Sequence, residues 1–215
     1  MLKLIGIKKD YGFPLLRSID ISVDDGEALA LMGANGSGKT TIIKILSSVI
    51  IPDSGSIEID GLELNSGSAD ARMITGSVFS DDRSFYMRLS GISNLRFYSR
   101  FYDINDKEFS TRLDHYSDKL GFKKKLLNRP VMEYSRGEKQ VLSFLRLFIN
   151  GTRHFFIDEP SISLDEEHRA RIISALKEEM RTGKTVLFVT HSKEEAAELS
   201  SKVCFLKDGI IHHET

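Results

Sequence analysis

GANGSGKT (33–40) stands between the apolar run EALALM (27–32) and TTIIKILSSVI (40–50), and its residue types suit one task, the holding of a phosphate chain. Gly33, Gly36 and Gly38 let backbone amides turn inward at angles other residues resist, which makes a nest for anionic oxygens. A helix starting near Lys39 would add the positive end of its dipole. Lys39 offers a mobile charge to the β- and γ-phosphates of ATP, and Thr40 offers a hydroxyl to Mg2+. Asn35, Ser37 and Thr41 supply the remaining polar lining.

HFFIDEP (154–160) is an apolar strand that ends in two acids. A carboxylate at a strand tip beside a phosphate loop suits Mg2+, which is the role expected of Asp158. Glu159 next to it could orient and deprotonate an attacking water, a contribution of roughly 10²–10⁴-fold in rate. Taken alone, an Asp–Glu pair at a strand end is also a common surface feature. His191 follows the buried run TVLFVT (185–190); taken alone, a histidine there is usually structural.

These groups need a frame. LKLIGI (2–7), SIDISV (18–23), EALALM, SIEID (56–60) and ITGSVF (74–79) read as strands, with YGFP and DDG as turns. The run 40–50 reads as a helix with Ile42, Leu46, Val49 and Ile50 on one face, stopped by Pro52. Residues 92–150 are mainly helical: Asn105 or Asp106 caps a helix to about Leu120, Gly121 closes it, and EKQVLSFLRLFI follows Ser135 and Arg136. The last third alternates HFFID, a helix from Asp165 to about Arg181, TVLFVT and the strand GIIHH. This order predicts an α/β fold: a P-loop NTPase core with a mostly parallel sheet, N-terminal antiparallel strands and an inserted helical subdomain. It also predicts one domain, with core segments about 1–80 and 151–215 and a helical subdomain about 81–150.

A net charge of −1 supplies no basic footprint for nucleic acid. The one cysteine, Cys204 in VCFL (203–206), excludes an intrachain disulfide, and a buried, inert thiol is expected there. No stretch of about 18 apolar residues exists, and the N-terminus lacks the apolar core of a signal peptide, so a cytoplasmic location is expected.

The order and spacing of GANGSGKT, SRGEKQ (135–140), IDEP (157–160), SISLD (161–165) and VTH (189–191) resemble those of the ABC-type ATPases over nearly the whole chain. The resemblance implies that Tyr11, 28 residues before Lys39, stacks on adenine; a plain turn tyrosine is the alternative. It implies that Tyr134-Ser135-Arg136-Gly137-Glu138 stands for the LSGGQ signature, which caps the γ-phosphate held by an opposite subunit. Ser135 and Gly137 keep the phosphate-touching positions, Arg136 adds a positive charge and Glu138 a repulsive one. SISLD then crosses the dimer interface, with Asp165 its most telling residue, and His191 senses γ-phosphate. A glutamine that helps to ligand Mg2+ should follow ITGSVF, but the chain has Ser80-Asp81-Asp82-Arg83-Ser84. Ser80 aligns as its replacement; Asp81 or Asp82 could approach the metal instead, or the loop only contacts a partner.

The resemblance implies ATP and Mg2+ as cofactors, a second ATPase subunit (a homodimer being expected), and a separate transmembrane permease on whose cytoplasmic face the chain sits. Residues 80–102, rich in aromatics and arginine, are similar to exporter subunits and are the expected docking surface. The sequence ending soon after GIIHH adds to the expectation of export. The alternatives are a soluble ABC ATPase in a non-transport complex and a weakly active partner in a heterodimer.

Overall fold

The computed structural model describes residues 1–64, 69–80 and 84–213. Strands β1 (Leu2–Asp10) and β2 (Pro14–Val23) form an antiparallel hairpin, and β1 also pairs with β4 (Ser54–Ile59), which carries the two-residue edge strand β5 (Leu62–Glu63). Alternation of buried and exposed residues along β1 and β2 is the pattern of strands with one covered face. Strands β3 (Ala28–Gly33), β6 (Thr75–Val78), β7 (His154–Asp158), β8 (Thr185–Val189) and β9 (Lys202–Lys207) run parallel in the order β9-β3-β8-β7-β6. Strand β10 (Ile210–His213) pairs antiparallel with β9 and joins the two parts through Ile210 and Ser18.

Every residue of β7 and β8 is buried, because the parallel sheet is covered on both sides. Side chains alternate between two cores. Leu29, Leu31 and Phe156 pack with α1 (Lys39–Leu46) and the N-terminal strands. Ala28, Ala30, Phe155 and Phe188 pack with the helices of the opposite side. Those are α4 (Asp106–Leu120), α5 (Arg136–Asn150), α6 (Glu166–Arg181) and α7 (Lys193–Leu199); α2 (Ala69–Met73) precedes β6 and α3 (Gly91–Ser99) precedes α4. Helix α5 is buried continuously from Gln140 to Ile149, the mark of a helix enclosed by other elements.

The caps expected from sequence are present. Asn105 and Asp165 accept from the amides of Glu108 and His168, and Gly121 closes α4 at φ 68°. Helix α1 is shorter than expected. Ser47 Oγ donates to the Ile43 carbonyl at 2.7 Å, and Ser48 takes the left-handed φ of 56°, so the chain leaves the helix before Val49. Val49 is 62% exposed as a result and does not share the core face. Cys204 is buried as expected, and burial pushes its thiol pKa up.

His154, at the start of β7, is fully buried with Nε2 3.0 Å from Asp60 Oδ2. Burial holds its pKa below the ordinary histidine value, and the Asp60 carboxylate pulls it part of the way back. The unfolded chain therefore binds a proton at this position more readily than the folded one. Stability should decline as pH falls from about 6.5 through the folded value. Melting curves between pH 7 and pH 5 should show this decline, and His154→Gln should flatten it; equal slopes in both proteins would refute the assignment.

Candidate active site

Strand β3 is held on both sides, by β8 and β9, and delivers the phosphate loop from a fixed point. Gly33 has φ 147°, and a Cβ there would lie 2.4 Å from the Leu206 carbonyl oxygen of β9. Gly38 caps α1 at φ 109°, where a Cβ would lie 2.8 Å from Leu16 Cδ2. At Gly33 that backbone contact leaves no room for a side chain, and at Gly38 the left-handed φ is what favours glycine. Lys39 opens α1, and its ammonium donates to the Gly33 and Ala34 carbonyls, each at 2.9 Å. Burial lowers its pKa, and the Glu159 and Asp158 carboxylates oppose that shift. Ser37 Oγ is buried without a hydrogen-bond partner among the described residues. Asn35, Gly36 and Thr40 are exposed at the loop and Thr41 is half-buried in the first turn of α1.

The parallel register of β6 with β7, Val78 opposite Ile157, carries Ser80 to the end of β7. There Ser80 Oγ donates to Asp158 Oδ2 at 3.2 Å, and Thr40 Oγ1 reaches the same carboxylate at 3.1 Å. One buried carboxylate and two hydroxyls form an oxygen-only donor set of the kind that suits Mg2+ shared with phosphates. Asp81, Asp82 and Arg83 lie outside the described residues.

Strands β7 and β8 are parallel with Asp158 opposite Val189, so the residues just past them become neighbours. Glu159 Oε1 lies 3.4 Å from His191 Nε2. Glu159 takes φ 57°, a left-handed conformation costing on the order of 1–3 kcal/mol for a side-chain-bearing residue. Its amide donates to the Val189 carbonyl at 3.0 Å, which fixes that turn. The Gln140 amide group, on α5, sits 3.5 Å from the Glu159 carbonyl. Gln140 belongs to the run SRGEKQ, yet nothing local in that run marks it as a neighbour of the acid.

Ser135 and Gly137 are not brought to the phosphate loop of their own chain. They line a separate cleft of about 440 Å³ with Ser163, Asp165 and His168. Ser135 caps α5: its hydroxyl accepts from the Glu138 amide at 3.1 Å, and the Glu138 carboxylate accepts from the Ser135 amide at 2.7 Å. Glu138 thus closes a capping box, a role its spacing from Ser135 allows. Arg136 is exposed beside it. A Cβ on Gly137 would lie 2.8 Å from the Ser163 carbonyl oxygen. Gly137→Ala should therefore destabilise the protein by about 1–3 kcal/mol, seen as a lower melting temperature. An unchanged melt would show that the Ser163 loop yields freely. Asp165 caps α6 and also meets His168 Nδ1 at 2.8 Å; the His168 amide and ring hold its carboxyl below the usual range.

Tyr11 lies in the turn between β1 and β2, half exposed, with the Lys9 ammonium 5.5 Å from its ring centroid. Phe13, two residues on, lines the cleft of about 840 Å³ beside residues 33–37 together with Phe205, a placement the sequence reading did not anticipate. Only its position in YGFP hints at it.

The family model described as ABC transporter matches residues 16–162. The chain is 30% identical to the Nod factor export ATP-binding protein I of Cupriavidus pinatubonensis, over 97% of its own length and 64% of the relative's. It is 27% identical to the spermidine/putrescine import ATP-binding protein PotA of Aliivibrio fischeri, over 100% of its own length and 57% of that protein's. Its fold superimposes on the dimeric structure of a bacterial ABC transporter cassette with a TM-score of 0.88 at 25% identity, covering 100% of this chain and 98% of the other. With its phosphate loop, its acidic strand end and this match across most of its length, the chain belongs to the ABC transporter ATP-binding family.

Proposed function

We propose that this chain hydrolyses ATP as one of a pair of identical subunits and drives export through a separate membrane protein. The observation that carries the reading is the split site. Lys39, Asp158, Glu159 and His191 converge within one chain, while Ser135 and Gly137 open a different cleft. A second copy would bring its α5 N-terminus to the nucleotide, where the dipole and the Ser135 hydroxyl suit a γ-phosphate.

Gly33, Asn35, Gly36, Ser37, Gly38, Lys39, Thr40 and Thr41 would cradle the phosphates, and Tyr11 would meet the base. Thr40, Ser80 and Asp158 would hold Mg2+, which offsets phosphate charge when bound. Glu159 takes a proton from water as the water oxygen bonds to γ-phosphorus. The bond from γ-phosphorus to the bridging oxygen breaks, leaving ADP and phosphate. His191, 3.4 Å from Glu159, would donate to a γ-phosphate oxygen. In this reading the chain is one domain, with its core at 1–80 and 151–215 and the helical subdomain at 81–150.

Among the described residues no helix is long and apolar enough to cross a membrane. Residues 80–102 carry the proposed docking surface. Tyr86, Phe97 and Phe101 are exposed and meet edge to face at 5.0 and 5.1 Å, while Phe85 is buried inside. Arg146 of α5 ties this patch to β6, where its guanidinium reaches the Ser77 carbonyl at 3.5 Å. Its guanidinium lies 4.7 Å from the Phe85 ring and 4.9 Å from the Tyr98 ring, and donates to Ser84 Oγ. Export is favoured by the likeness of this run to exporter subunits.

The decisive experiment is hydrolysis of Mg·ATP by the purified chain, which the reading requires; absence of turnover would overturn it. For docking, Arg88→Glu and Phe101→Asp should each abolish co-purification with a co-expressed multi-span membrane protein encoded beside this chain. Retained co-purification would place the contact elsewhere.

A further inference from the structure

Glu195 is 3% exposed and makes no ion pair among the described residues, so a carboxylate is held in the interior without a neutralising cation. Burial of that kind is unfavourable unless both oxygens are satisfied. Two hydroxyls do so: Ser161 Oγ donates to Oε1 and Thr190 Oγ1 donates to Oε2. Ser161 lies two residues after Glu159, and Thr190 immediately precedes His191. The Thr190 hydroxyl also accepts from the Ser192 amide at 3.1 Å, and Ser192 Oγ accepts from the Glu195 amide at 3.1 Å, which fixes the clasp to the first turn of α7. The two loops belong to different strands and carry the two groups whose side chains lie 3.4 Å apart.

We propose that Glu195 is a positioning residue for ATP hydrolysis, setting the distance between Glu159 and His191 by clasping their two loops with one carboxylate. The inference rests on the reading of Glu159 as the base. A helix-capping role alone would need only the backbone amide of Glu195, which any residue supplies, and would leave the buried carboxylate without purpose. The clasp touches neither the phosphate loop nor the oxygen groups around Asp158, so it should govern turnover and not nucleotide affinity.

The test compares kcat, KM and the Kd for ATP in wild type, Glu195→Ala, Glu195→Gln, Ser161→Ala and Thr190→Val, with a melting curve for each. Glu195→Ala should lower kcat on the order of 10²-fold, the scale of a misplacement of about 1 Å, with Kd changed by less than about threefold. Glu195→Gln keeps one acceptor and should recover part of the loss. Ser161→Ala and Thr190→Val should each fall between wild type and Glu195→Ala. In a Glu159→Gln background, Glu195→Ala should lower the residual rate little further, because both changes remove the same function. If Glu195→Ala fails to fold, Glu195→Gln and the two hydroxyl variants carry the test alone. Folded variants with kcat within about twofold of wild type, or losses that appear in Kd, would overturn the proposal while leaving the hydrolysis reading intact. Absence of hydrolysis by the wild type would overturn both.

Discussion

Glu159→Gln should bind ATP with nearly unchanged affinity and hydrolyse it roughly 10²–10⁴-fold more slowly than the wild type. The substitution keeps the size of the side chain and an oxygen that can still orient water, and removes the negative charge and with it the capacity to take a proton. The backbone at this residue is already committed. It holds φ 57°, donates from its amide to Val189 and accepts from the Ile162 amide at 3.3 Å. Nothing in that scaffold depends on the carboxylate, so the fold and the phosphate loop should be untouched. With hydrolysis stopped, ATP remains bound and acts as a ligand of the closed pair, which mass action then favours. Single-turnover rates and the apparent mass with Mg·ATP measure both halves. A rate equal to wild type would remove Glu159 from the chemistry, and a monomer at saturating ATP would remove the pair.

The second large effect is expected at Lys39. Its ammonium is nearly enclosed and held by two backbone carbonyls, a neutral pair of acceptors that a phosphate would outcompete. Burial has already lowered its pKa, so the site holds a charge that is under-compensated until an anion arrives. Lys39→Ala removes a charge-assisted contact of about 1.5–3 kcal/mol, which corresponds to roughly a 10- to 150-fold weaker Kd for ATP. Fluorescent-nucleotide titration measures this, and an unchanged Kd would mean that the amides of the loop carry the phosphates unaided.

Much of this could be read from the residues because the controlling interactions are local. The caps Asn105, Ser135 and Asp165 and the apolar strands each act within a few residues, and the structure follows them. The end of α1 escaped because Ser47 and Ser48 compete with the helix for the backbone, and an apolar pattern does not register that competition. Glu138 had the spacing of a capping box, but the charge it carries masked the bond it makes. Phe13 and Tyr11 are both aromatic residues of one turn, and only its three-dimensional course separates them. Glu195 was beyond reach for a different reason. Ser161, Thr190 and Glu195 are ordinary residues whose meeting depends on β7 and β8 being adjacent, a property of sheet order that no short pattern contains.

The position of β3 bears on how the protein comes into being. Its partners, β8 and β9, emerge from the ribosome only after the whole helical region has been made. During that interval β1, β2 and β4 can pair among themselves, but β3 waits with both edges open and with apolar side chains on both faces. Such a strand invites association with other chains and slows assembly, since its contacts span most of the sequence. The phosphate loop itself gains its β9 neighbour, Leu206 opposite Gly33, only at the end of synthesis. The newborn chain should therefore pass through a window of exposure to association that closes only when β8 and β9 pair with β3.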